Sequence, residues 1–218
     1  MTLAEAIADL YAAFADLPRP TRLHQPGYGL EPGEVQQLLS VPLRELSPEL
    51  MRSYLFDAIE LVGTWDDFRY YLPRILELLP CEEVDLEKVV WQLERGQERS
   101  FPLSDAQRAA LHAFVLAYWG HLLPGFIVWA EGYLICNTLE PFGVTRSEVL
   151  ALWRSHPQGA LALAYHLLLN GSVPPEWPRA EVMGWLEEAC LAATDADEAQ
   201  GLSDALLILE HPPQSPGG

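Results

Sequence analysis

An all-α fold is what this chain predicts, and three observations carry that expectation. Helix-start and helix-stop signals recur along its length, apolar residues between them follow 3.6-residue spacing, and period-two strand patterning is nearly absent. The expected architecture is about ten or eleven short helices packed antiparallel, as a bundle or as a HEAT-like array of helical pairs. Half of the 218 residues are hydrophobic, enough to bury a substantial core. Residues 1–210 are expected to form a single all-α domain, with residues 211–218 a disordered tail by composition.

The elements follow in order. Thr2-Leu3-Ala4-Glu5 has the form of a capping box, in which hydroxyl and carboxylate satisfy each other's orphan amides. It opens a helix with Leu3, Ile7, Leu10, Phe14 and Leu17 on one face, ended by Pro18 and Pro20. Residues 21–33, with Pro26, Gly27, Gly29, Pro32 and Gly33, read as a loop, followed by a short helix around residues 35–39. Ser47-Pro48-Glu49 gives an N-cap with proline at the first helical position. The helix it starts would carry Tyr54, Leu55, Ala58, Ile59, Leu61 and Val62 inward and close at Gly63. Thr64 then caps a segment with Asp66 and Asp67 in its first turn, where the helix dipole favours negative charge. Its apolar residues Phe68, Tyr71, Leu72, Ile75, Leu76 and Leu79 keep helical spacing straight through Pro73. An interior proline lacks its N–H and frees the carbonyl of Arg69, so a kink costing about 3 kcal/mol is expected unless something compensates.

Leu86, Val89, Val90 and Leu93 make the next amphipathic helix, stopping at Gly96. Ser104-Asp105-Ala106-Gln107 is a second capping box, leading a helix with Leu111, Phe114, Val115, Tyr118, Trp119 and Leu122 on one side. Residues 125–139 are apolar nearly all round, the pattern of a central helix buried by several neighbours. Thr145 and Glu148 box the start of a helix broken at His156-Pro157, and the one after it ends at Asn170-Gly171, a left-handed stop signal. A proline-rich connector over residues 172–177 precedes two last helices, at about residues 178–192 and 195–209.

Charge and cysteine content limit the function classes. Thirty-one acidic against thirteen basic residues give a net charge of −18, which disfavours nucleic acid or an anionic membrane as a partner and suits a basic protein; the plainer reading is that the acidity only keeps the chain in solution. From Ala180 to Glu210 the chain carries Glu181, Glu187, Glu188, Asp195, Asp197, Glu198, Asp204 and Glu210 without one Lys or Arg, so the C-terminal helices carry the field. Cys81, Cys136 and Cys190 form no C-x-x-C pair, supporting neither a disulfide framework nor a zinc cluster and fitting a reducing cytoplasm. The acidic N-terminus does not read as a signal peptide, and the longest apolar run, near residues 122–139, is interrupted by Pro124, Gly125, Glu131, Gly132 and Asn137. No membrane association, cofactor or metal is expected.

Catalytic signatures such as a G-x-S-x-G elbow, a P-loop or H-E-x-x-H are missing from the sequence, and its six histidines never pair at i+3 or i+4. His121 and Glu131 flank the Leu123-Pro124-Gly125 turn and could converge across a helical hairpin as a base and its orienting acid, or as metal ligands; a satisfied buried polar pair is the plainer reading. On the wheel of the Pro73 helix, Asp66, Arg69, Tyr70, Arg74 and Glu77 share the face opposite the leucines, within i+3 or i+4 reach of one another. That face is either a recognition surface with two arginines able to fork onto a carboxylate, or an ion-paired joint whose arginines cap a neighbouring helix's carbonyls.

Asp67-Phe68-Arg69-Tyr70-Tyr71-Leu72-Pro73-Arg74-Ile75-Leu76-Glu77-Leu78 resembles the "DFRYFLPRILEL" signature of a family of uncharacterised bacterial proteins, with the similarity covering residues 35–95. The resemblance implies a helical cytoplasmic protein and no established activity. Relatives of that kind often carry a cysteine-rich segment just upstream, whereas residues 24–35 here contain no cysteine. The functional expectation is therefore an acidic helical protein-interaction module: an adaptor, an inhibitor or an immunity-type neutraliser. The alternative is an enzyme or small-molecule receptor with an inter-helix pocket drawing on Arg69, Arg74, His121 and Glu131, and a DNA mimic has only the net charge behind it.

Overall fold

In the computed structural model, described for residues 1–25, 29–81, 83–98, 103–123, 140–173 and 177–211, the chain is all helical. Among the described residues are ten α-helices: α1 Leu3–Ala13, α2 Pro32–Ser40, α3 Pro48–Asp57, α4 Trp65–Leu78, α5 Leu86–Glu98, α6 Asp105–Leu122, α7 Arg146–Ser155, α8 Gly159–Asn170, α9 Arg179–Ala192 and α10 Ala196–Glu210. The chain groups into two compact units, Met1–Phe114 and Val115–Gly218, the division falling within α6. The expected central helix at residues 125–139 lies outside the described residues, as does most of the expected tail, residues 212–218.

The caps form where the sequence places them. Thr2 with Glu5, Thr64 with Asp67 and Thr145 with Glu148 all close reciprocal capping boxes. Ser104 and Gln107 exchange the same pair of bonds, Ser104 N to Gln107 Oε1 at 3.1 Å and Gln107 N to Ser104 Oγ at 3.2 Å. Ser47 and Asp195 cap α3 and α10, and Gly171 ends α8 at φ 71°. A side chain in that left-handed region is costly, so glycine is the natural stop.

In the N-terminal unit α4 packs against α1, α3 and a 3-10 turn at Leu43–Glu45, while α3 also meets α5. Trp65, Phe68, Tyr71, Leu72, Ile75 and Leu76 are all buried, a stripe that removes most of one helix face from water. Pro73 is buried too, and α4 runs through it as one helix rather than ending there.

α1 ends at Ala13, short of the Leu17 expected on its face, and α2 starts at Pro32, inside the expected loop. Two further helix ends differ from expectation for identifiable reasons. The helix expected to reach Gly63 ends at Asp57, because the fully buried Gln92 of α5 donates its Nε2 to the carbonyls of Leu55 at 3.3 Å and Ala58 at 2.8 Å. With the helix ended, these carbonyls lack the i+4 amides of Ile59 and Val62, which bond elsewhere, and Gln92 supplies the donor instead. The chain instead turns tightly over Ala58 to Val62, with Ile59 at φ 66°, a strained value for a β-branched residue. This turn still buries Ala58 and Val62 fully.

Gly96, expected to stop α5, lies inside a helix that continues to Glu98. Its function is spatial: a Cβ there would sit 2.2 Å from Cζ3 of the buried Trp65 ring. Glycine lets α5 approach the first residue of α4 closely enough for the indole to lie on backbone.

In the C-terminal unit α8 packs against α7, α9 and α10, and α9 packs against α10. Ala160, Ala162 and Ala164 of α8 are buried, small side chains that allow close approach on several sides. Trp153 of α7, with no exposure, meets Trp119 at a centroid distance of 5.9 Å, Trp177 at 5.6 Å and the His166 ring at 6.0 Å, all edge-on. Such tilted contacts suit the aromatic quadrupole and add to the apolar area buried. His166 is buried in this cluster, and Asn170 donates its Nδ2 to the ring Nδ1 at 3.2 Å. Burial holds the His166 pKa below its ordinary 6.5, because the charged imidazolium would lose its hydration.

Two outcomes follow for stability. Gly96→Ala forces the Trp65 ring or α5 to move and costs about 1–3 kcal/mol, measured as a lower urea midpoint. Lowering the pH from neutrality through 6.5 destabilises the fold, because the unfolded chain gains a proton at residue 166 before the native state does. His166→Leu removes that part of the decline in a pH series of urea melts.

Candidate functional site

Three of the five side chains proposed from the α4 wheel, Arg69, Arg74 and Glu77, make hydrogen bonds that tie α4 to its neighbours, while Asp66 bonds only to Arg69 within the helix. Arg74 donates through Nε at 3.1 Å and Nη2 at 2.9 Å to the carbonyl of Leu46, the residue that ends the Leu43–Glu45 turn. Its Nη1 meets Glu77 Oε2 at 2.8 Å. The same carboxylate oxygen accepts the Tyr11 hydroxyl of α1 at 2.7 Å. Arg44 adds a longer ion pair to Glu77 Oε1 at 3.7 Å and stacks its guanidinium 3.7 Å from the Tyr11 ring centroid. Burial, and then the hydrogen bond to Glu77, push the Tyr11 phenol above its ordinary range.

Arg69 faces a different neighbour. Its Nη1 pairs with Asp66 Oδ1 at 3.1 Å, and its Nη2 reaches the buried Gln107 side chain at 2.8 Å. Gln107 Oε1 therefore accepts both Arg69 and the Ser104 amide, coupling α4 to the capping box of α6. Tyr70 does not join Arg74, as the i+4 spacing suggested it could; it stands edge-on to Tyr71 at 5.0 Å. The Tyr71 hydroxyl in turn donates to the Leu38 carbonyl of α2 at 3.1 Å. The Arg74 side chain is only 15 % exposed, so its donors meet carbonyl and carboxylate partners where a ligand has little access.

His121 is exposed near the end of α6, and Glu131 lies outside the described residues. Among the described residues, no three His, Cys, Asp or Glu side chains cluster as a set able to hold a metal ion. No helix among them is long and apolar enough to cross a membrane.

Two other surfaces have features a partner or ligand could use. One is the outer face of α9 and α10. Glu187, Glu188, Asp197, Glu198 and Glu210 are exposed and have no ion-pair partner among the described residues, whereas Glu181 is paired with Arg154. Leu191 stands 89 % exposed one turn beyond Glu187 and Glu188, and Leu207 is 53 % exposed one turn from Asp204 and Glu210. Each protruding leucine is thus flanked by carboxylates. The acidic run was visible in the sequence; the outward leucines were not, because an exposed and a buried leucine read alike until packing chooses a face.

The other surface is a cleft of about 880 Å³ in the N-terminal unit, between the loop after α1 and the first turn of α4. The loop contributes Arg19, Arg22, His24 and Gln25, and the helix end contributes Thr64, Asp66 and Asp67. Apolar lining comes from Leu17, Pro18, Pro20 and Leu23. The loop is pinned where the Gly63 amide donates to the His24 carbonyl at 2.8 Å and where Arg19 donates to the Val41 carbonyl. No signal in the sequence marks this loop as a site, since Pro18 and Pro20 signal only where a helix ends.

No family model, curated protein or solved structure matches the chain. The likeness of residues 67–78 to the signature described above therefore rests on those residues themselves.

Arg74→Ala would leave the Leu46 carbonyl and Glu77 poorly compensated in a half-buried joint. We expect a loss of about 2–4 kcal/mol in urea unfolding, with unchanged affinity for whatever binds the outer face of α9 and α10.

Proposed function

We propose that this chain is an acidic helical interaction module, an adaptor, inhibitor or immunity-type neutraliser, whose partner is another protein with a basic surface. The observation that carries the reading is the exposed surface of α9 and α10, where Leu191 lies one turn from Glu187 and Glu188 and Leu207 lies one turn from Asp204 and Glu210. Across the Ala180–Glu210 segment there is no Lys or Arg to offset them. A desolvated apolar anchor within a charged rim is a common economy of protein interfaces: the anchor supplies affinity, and the rim supplies orientation and on-rate. Nucleic acid is a poor partner for such a face, because phosphates would meet carboxylates. A reducing cytoplasm is the compartment we assign, which agrees with Cys81 and Cys190 both being free thiols.

The test is retention from source-cell lysate on immobilised protein, with a Lys/Leu amphipathic helical peptide as a defined probe. Binding should fall steeply between about 0.1 M and about 1 M salt, as screening shortens from about 10 Å to about 3 Å. The Glu187→Lys/Glu188→Lys variant should bind the probe at least tenfold more weakly at low salt, and Leu191→Ser should lose affinity at any salt. Retention indifferent to both salt and charge reversal would remove the basis of the proposal.

A further inference from the structure

The cleft between the loop after α1 and the start of α4 holds opposite charges that do not pair with one another. Arg19 and Arg22 line it, yet neither has a carboxylate partner among the described residues. Asp67 lines it as well, and its Oδ2 is spent on the Thr64 amide and hydroxyl, both at 2.8 Å, rather than on a base. Asp66 uses only Oδ1 on Arg69. Two guanidiniums and two carboxylates thus share one cleft, one of the carboxylates, Asp66, being shared with Arg69 of α4.

Arg19 is held in position before any ligand arrives. Its Nη2 donates to the Val41 carbonyl, while its Nε is buried and has no hydrogen-bond partner. The volume, about 880 Å³, lies in the range of sites that enclose small organic molecules.

We propose that this cleft binds a small dipolar ligand of the amino-acid or short-peptide class. Its carboxylate is received by Arg19 and Arg22, and its ammonium group by the uncommitted carboxylate oxygens of Asp66 and Asp67. Charge balance selects this class over its rivals. A nucleotide would bring several negative charges against Asp66 and Asp67, and a polyamine would bring several positive charges against Arg19 and Arg22. A zwitterion meets both sets with the right sign, and a planar guanidinium fork matches its carboxylate. The assignment is independent of the acidic face on α9 and α10, which belongs to the other unit.

The experiment is a thermal-shift screen of the full chain against the free amino acids and a set of dipeptides, with AMP and spermidine beside them. Hits are followed by calorimetric titration. At least one zwitterion should raise the melting temperature and saturate, and Arg22→Gln and Asp66→Asn should each weaken it by about tenfold or more. Both residues are exposed, so the variants are expected to fold. The proposal is overturned if no zwitterion binds, if AMP or spermidine binds more tightly than every zwitterion, or if both variants bind as the parent does.

Discussion

Arg74, held between a main-chain carbonyl and a carboxylate, is the constraint on which the N-terminal unit depends. A guanidinium mostly removed from water must have its charge balanced and its donors used, and here the Leu46 carbonyl and Glu77 do both. Glu77 can serve because its oxygens are shared with Tyr11 and Arg44, so one carboxylate ties α1, α4 and the Leu43–Glu45 turn together. The geometry fixes α4 along its axis, and the rest of the unit is arranged around that fixed helix. Trp65 can then rest on Gly96 at one end, while Arg69 meets Gln107 on its flank.

Polar side chains that finish another element's backbone recur through the structure. Gln92 takes the carbonyls at the end of α3, Tyr71 takes that of Leu38, and Arg74 takes that of Leu46. Each satisfies a group that water cannot reach, which helps short helices to end inside a core. The C-terminal unit uses a different device. Its core around Trp153 is aromatic, with a neutral histidine fitted among indoles and oriented by Asn170.

The surfaces left after this packing are unlike one another. The acidic face of α9 and α10 has outward leucines and carboxylates without counter-ions, a pattern suited to a macromolecular partner. The cleft beside α4 has mixed charge, an anchored arginine and apolar walls, a pattern suited to a small one. The α4 face that first invited a binding role is largely occupied by its own neighbours. Its arginines orient helices, and Tyr70 packs on Tyr71.

The sequence by itself determined the fold class, the positions of most helix starts and the acidity of the C-terminal segment. Caps and 3.6-residue periodicity act between residues close in the chain, so Thr2, Ser47, Thr64, Ser104 and Thr145 could each be read without knowing any neighbour. Only the tertiary structure decided where α3 ends, why Gly96 is a glycine, what Arg74 binds and which loop residues line the cleft. Each of these depends on a group distant in sequence: Gln92 on Leu55 and Ala58, Trp65 on Gly96, Arg74 on Leu46, and Arg19 and Arg22 brought beside Asp66 and Asp67. Local periodicity carries no record of such meetings, because a long-range contact is set by how whole helices pack and not by the spacing of residues within one.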